Sequence, residues 1–202
     1  MKKILKPLIH ELKHHLPFTA GATILAILVA LLFTSLNLNI NEPIFESLHL
    51  THLLASSIVT AGIFYKYKKS AITAFLIGVT GAIIIGSLSD IIFPWLSASI
   101  FQLHPHFHLP LLEIPLIVLL ISGIGSIIGI LTLRTKIPHT LHVGISVFAS
   151  LFYLITYTPG INILFLTLSF LIVLVSVIIP CCVSDILFPF FFLGKSIKHC
   201  EC

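Results

Sequence analysis

Residues 71–96 read AITAFLIGVTGAIIIGSLSDIIFPWL, and this stretch decides the fold. It carries a single charged residue, Asp90, close to its far end. An α-helix needs about 20 predominantly apolar residues to cross a bilayer, and this run exceeds that. It is one of six such runs, at roughly 17–36, 49–65, 71–96, 109–133, 139–157 and 161–192. The breaks between them carry turn and interface chemistry. Asn37 to Glu46 holds three asparagines, two glutamates and a proline, and Lys66 to Lys69 is basic. Gln102 to His108 alternates histidine with proline, Arg134 to Pro138 is again basic, and Thr158-Pro159-Gly160 is a turn.

The whole composition agrees with that reading. Of 202 residues, 57% are hydrophobic and 9% charged, and the mean hydropathy is +1.15. A soluble domain carries roughly 25% charged residues. A soluble enzyme, a nucleic-acid binder and a disordered chain are therefore excluded, and no enzymatic activity is expected. Lysine and arginine together number 11, and so does histidine. In a chain this apolar, the histidines require an explanation.

The basic residues sort by loop. Lys2, Lys3, Lys6 and Lys13 precede the first span, and Lys66, Lys68 and Lys69 separate the second from the third. Arg134 and Lys136 separate the fourth from the fifth, and Lys195 and Lys198 follow the sixth. The three intervening loops have none. The positive-inside rule then places both termini in the cytosol and makes the chain a multi-pass protein of the plasma (cytoplasmic) membrane. The basic start, Met1 to His15, lacks a small-residue cleavage site and is expected to stay in the mature chain. Cys181, Cys182, Cys200 and Cys202 are expected to be thiols rather than a disulfide framework.

The halves repeat. Ser89-Asp90-Ile91-Ile92-Phe93-Pro94 returns as Ser184-Asp185-Ile186-Leu187-Phe188-Pro189. His49-Leu50-Thr51-His52 returns as His139-Thr140-Leu141-His142, and His15-Leu16-Pro17 as His108-Leu109-Pro110. The expected architecture is all-α, with six transmembrane helices in two three-helix repeats, residues 1–100 and 101–202. Three spans is an odd number, so the second repeat is inverted. Inverted repeats are a transporter architecture with the substrate path at their interface.

On this topology one face gathers His104, His106 and His108 with His49, His52 and Asp90. The other gathers His10, His14 and His15 with His139, His142 and Asp185. Residues at i and i+3 share a helix face about 5–6 Å apart, so each HxxH can converge two imidazoles on one ion. Imidazole nitrogen suits zinc, nickel, copper and iron, and three ligands with an open position allow exchange. An ionisable group inside a span costs several kcal/mol, which makes the two aspartates the sharpest candidates. Each is followed four residues later by a proline, Pro94 or Pro189, which cannot donate to the aspartate's carbonyl. Glu113 has no counterpart in the first half and is a secondary candidate. Cys181 and Cys182, beside the kink expected at Pro180, are others. The tail His199-Cys200-Glu201-Cys202 has a metal-binding composition.

His10-Glu11-Leu12-Lys13-His14 matches the zinc-protease pattern, but it stands in a basic segment before the first span, without a second protease motif. The expected function is transport or exchange of a divalent transition metal: zinc first, otherwise nickel, cobalt, iron or manganese. A haem-b electron carrier with one bis-histidine haem per side is the alternative, and a membrane scaffold or assembly subunit the third reading. The expected partners are the lipid bilayer and the metal ion, with no nucleic acid. Gly78, Gly81 and Gly86 in span three and Gly123, Gly125 and Gly129 in span four are expected to pack those spans together, and such faces would suit a homodimer.

Overall fold

A computed structural model describes residues 2–133, 136–160 and 162–182, with side chains from Leu16 to Leu133, Leu141 to Gly160 and Asn162 to Pro180. His10, His14, His15, His139, Cys181 and Cys182 therefore lie outside the described side chains, and Asp185, Cys200 and Cys202 outside the described chain altogether.

The described chain is all helical. Helix α1 spans Lys2–Ser35, α2 Glu42–Tyr67 and α3 Ala71–Ser87. A π-helical turn, Leu88–Ile92, joins α3 to α4, Phe93–Ile100. Then follow α5 (Pro110–Glu113), α6 (Pro115–Thr132), α7 (Lys136–Tyr157) and α8 (Ile163–Val177), the last continued by a π turn over Ile178–Cys182. Five segments are long and apolar enough to cross a membrane: Leu16–Ser35, Glu42–Tyr67, Ala71–Ile100, Pro115–Thr132 and Ile163–Pro180. The sixth expected span is the shorter apolar helix Leu141–Tyr157 within α7.

Side-chain contacts fix the directions. Phe45 meets Tyr157, and His52 meets His142, so α2 and α7 run antiparallel. Phe18 approaches Gly144 and Phe33 meets Phe152, so α1 runs parallel to α7. One end of the bundle thus gathers the start of α2, the segment 101–110 and the end of α7. The other carries Lys66 in the last turn of α2 and Lys68 and Lys69 between α2 and α3.

On α1 and α6 the packing is that of a membrane bundle, with large apolar side chains outward and small or polar ones inward. On α6, Leu116, Leu120, Ile124, Ile127 and Leu131 are exposed, while Ser122, Gly123, Gly125, Ser126 and Gly129 are buried. On α1, Leu25, Leu28 and Leu32 face outward, and Thr19, Thr23, Ala26 and Ala30 face inward. With no hydrophobic drive between helices in lipid, small residues allow close backbone approach instead. The expected glycine pairing of spans three and four is corrected in part. A Cβ on Gly125 would strike the Leu54 carbonyl, and one on Gly129 the Ile58 carbonyl, so these two glycines seat α6 on α2. Gly78 does meet α6, at Ser126, but Gly86 meets Leu53 of α2. α2 is the central helix because both neighbours close upon it.

Helix starts differ from the sequence expectation for a local reason. α2 begins at Glu42, not near 49, because the Asn41 side chain accepts from the Ile44 N–H and Pro43 occupies the first turn. Both are helix-start signals. The HxxH therefore lies in the second and third turns rather than at the helix entrance. Span four is broken at Ile114, where Pro115 restarts the helix, and this leaves Glu113 on the short α5.

Candidate functional site

The π turn places Asp90. In it the Phe93 N–H bonds the Leu88 carbonyl, five residues back, and Pro94 cannot supply the regular bond to the Asp90 carbonyl. Such bulges re-aim a side chain and recur at functional positions. Here Asp90 is turned fully into the bundle, with 0% exposure.

Each carboxylate oxygen has its own partners. Oδ2 accepts from Nδ1 of both His49, at 2.8 Å, and His52, at 2.7 Å. Oδ1 accepts from the Ser89 hydroxyl at 2.8 Å and the Ser146 hydroxyl at 2.7 Å. Ser150, one turn beyond Ser146, donates to the Ser89 carbonyl at 3.0 Å. Helices α2 and α7 thus clamp the π turn between them. An ionised carboxylate only accepts, so both imidazoles turn Nδ1–H toward it. Their Nε2 atoms are left, and both are buried without a hydrogen-bond partner.

His52 is ten residues from Glu42, Asp90 ten from Ile100 and Ser146 eleven from Tyr157. At ~1.5 Å per residue all three lie about 15 Å inside the nearer ends of their helices. The His142 ring stacks on His52, with centroids 5.7 Å apart and planes 6° apart. The sequence reading puts these two histidines on opposite faces, whereas His142 meets the Asp90 group in the interior; its partner His139 lies outside the described side chains. The reason is register. α2 and α7 are antiparallel, and each motif stands several residues inside its own helix.

The site belongs to a longer seam. On α2, Glu42, Glu46, His49, His52, Ser56 and Thr60 recur at three- and four-residue intervals, one helix face, and the last four are buried. On α7, His142, Ser146, Ser150 and Tyr153 do the same and are buried. The central helices therefore face each other through polar groups in an otherwise apolar bundle. Neither Ser146 nor Ser150 is a sequence candidate, although the four-residue steps His142, Ser146, Ser150 carry the signal.

The triple His104, His106 and His108 is divided. His104 and His106 are exposed, and His108 alone is buried. His108 does not join Asp90. Phe45 lies between, its ring 5.9 Å from His49 and 6.0 Å from His108. Instead His108 Nδ1 pairs with Glu113 at 2.8 Å, and Nε2 lies 3.5 Å from Glu46. One ligand atom each from Glu42, Glu46 and His108 falls within 4.8 Å of the others. Glu42 and Glu46, which read in the sequence as loop residues, are brought here by the early start of α2.

These features define an all-helical, multi-pass membrane protein with a buried polar seam between its two central helices. No known family model matches the chain, and no curated protein or solved structure is similar enough to count as a relative.

Proposed function

We propose that this protein transports a divalent transition metal across a membrane, with the ion moving along the seam between α2 and α7. The observation that carries the reading is the Asp90 group. Two imidazoles are oriented by one buried carboxylate and keep their Nε2 lone pairs unpartnered deep inside the helical bundle. Metal-binding histidines commonly donate their second ring N–H to a carboxylate, which fixes the tautomer and raises ligand basicity. Ionisable groups within spans mark ion or proton paths. His49 and His52 are the proposed ligands for the metal substrate, Asp90 orients them, and His142 continues the path.

The inverted repeat, cytosolic termini and plasma-membrane location belong to the same reading. Their support is the sorting of basic residues, the antiparallel HxxH-bearing helices α2 and α7, and a π turn late in each third helix, at Leu88–Ile92 and Ile178–Cys182. Zinc is the first ion to test. Purified protein in proteoliposomes should move zinc or a neighbouring first-row ion down its gradient, and Asp90→Asn should stop it while the protein stays folded. Equal flux in the variant overturns the mechanism. A haem absorbance band in the purified protein would favour electron transfer, and no flux of any tested ion would favour a scaffold.

A further inference from the structure

We propose a second divalent transition-metal site at the mouth of the bundle, formed by Glu42, Glu46 and His108 and positioned by Glu113. It goes beyond the transport reading, because an ion can bind there whether or not it is carried further.

Four observations support it. First, one donor atom from each of the three residues lies within 4.8 Å of the other two, a spacing that a single ion could draw in. Second, His108 is 5% exposed and its Nε2 is buried without a hydrogen-bond partner. At 3.5 Å that nitrogen faces the Glu46 carboxylate without forming a regular bond to it. Third, the other ring nitrogen is already committed. Nδ1–H donates to Glu113 at 2.8 Å, the carboxylate–histidine arrangement that presents Nε2 to a metal. The ring itself is held by stacking on Tyr157, centroids 4.7 Å apart, and by the edge of Phe45. The loop behind it is pinned by the His106 N–H to the Tyr157 carbonyl at 2.7 Å and by the Tyr153 hydroxyl to the His106 carbonyl at 3.2 Å. Fourth, charge is unbalanced. Glu42, Glu46 and Glu113 bring three carboxylates together, and the segments 36–46, 97–114 and 157–163 contain no lysine or arginine. A divalent cation would restore the balance.

Two carboxylate oxygens and one imidazole nitrogen suit zinc, manganese or ferrous iron better than magnesium or calcium, which favour all-oxygen shells. Only α2 and two short segments build the site, and Glu42 and Glu113 are exposed, so an ion could exchange there with the surrounding water.

The experiment is calorimetric titration of the full-length protein in detergent with zinc and manganese, and with magnesium as the control. Wild type is compared with Glu42→Gln/Glu46→Gln, Glu113→Gln and Asp90→Asn, each checked for helicity and monodispersity. The double variant should lose one class of zinc or manganese sites. Glu113→Gln should weaken that class by about 10- to 100-fold. Asp90→Asn should leave it unchanged, which separates this site from the central one. An unchanged stoichiometry and affinity in a folded double variant overturns the proposal. So does loss of the same sites in Asp90→Asn, or magnesium binding as tightly as zinc.

Discussion

The imidazoles of His52 and His142 lie ring over ring, 5.7 Å between centroids. They come from antiparallel helices and from equivalent HxxH motifs at opposite ends of the sequence pattern. Their contact joins one histidine of each HxxH in an interior group, because His52 is bonded to Asp90 and Ser146, one turn from His142, is bonded to the same carboxylate. On the proposed transport reading, the path has its polar centre at this group, with Glu42, Glu46 and His108 near one entrance.

The role of the free imidazole edge can be isolated by substitution. Asparagine places its side-chain NH2 close to where histidine carries Nδ1, and it has no counterpart of Nε2. His52→Asn should therefore keep the bond to Asp90 and cost about 1 kcal/mol in stability, a typical single-site value, while metal flux falls to background. His52→Ala should also abolish flux, but with a larger loss of stability, since Asp90 then loses a partner. Thermal midpoints in detergent together with proteoliposome flux check both parts. Wild-type flux in His52→Asn would remove Nε2 from the mechanism.

Much of this was legible in the sequence, and the failures have physical causes. Asp90 in an apolar run and the HxxH at 49–52 are grouped by the sequence, together with His104, His106 and His108 at one membrane face, since a buried charge must find partners. The membrane class followed from the apolar runs alone. The sequence is less clear about depth. Asn41 and Pro43 are helix-start signals, yet they sit among loop-like asparagines, so the sequence predicts α2 seven residues late and its histidines at a membrane face. Ser146 and Ser150 carry no charge, and a serine in a membrane helix is as often a packing residue as a partner. His104, His106 and His108 look equivalent in sequence. Only the docking of the loop on Tyr153 and Tyr157 buries one of them.

Ser146 should matter chiefly through its bond to Asp90. Its hydroxyl is the link from α7 to the Asp90 carboxylate, at 2.7 Å. Interhelical hydrogen bonds in membranes average about 0.6 kcal/mol and reach about 1.7, and a charged acceptor belongs at the upper end. Ser146→Ala should destabilise by about 1–2 kcal/mol. In the Asp90→Asn background the same change should cost less, because the acceptor charge is gone. A double-mutant cycle on detergent unfolding measures the coupling, and strict additivity would show that the bond contributes nothing.

The seating of α6 on α2 gives a contrast between neighbouring glycines. Alanine at a helical glycine gains up to about 1 kcal/mol in propensity. At Gly123 a new Cβ meets only the Phe75 ring edge at 3.5 Å, so Gly123→Ala should be neutral or mildly stabilising. At Gly129 it collides with the Ile58 carbonyl, and backbone cannot step aside as a side chain can. Gly129→Ala should lose about 1–3 kcal/mol as the helices part. Unfolding midpoints of the two variants should therefore move in opposite directions, or at least differ by that margin. Matching midpoints would mean that α6 is not seated on α2 through Gly129.

Removing the central carboxylate separates its charge from its hydrogen bonding. In Asp90→Leu, four buried donors lose their acceptor: His49, His52, Ser89 and Ser146. Breaking a buried pair from one side costs about 3–5 kcal/mol, and this variant should express poorly or unfold early. Asp90→Asn keeps one carbonyl oxygen as an acceptor, so it should lose less, about 1–3 kcal/mol. Yet its amide NH2 now faces two former donors: either the Ser89 and Ser146 hydroxyls, which can turn to accept, or the His49 and His52 imidazoles, which must change tautomer or rotate. The asparagine variant is thus the one in which fold survives and metal affinity at the centre falls. The order of stability, wild type above Asn above Leu, can be read from thermal unfolding in one detergent. A leucine variant as stable as wild type would mean that the carboxylate is not held by these four groups, and the central site would have to be redrawn.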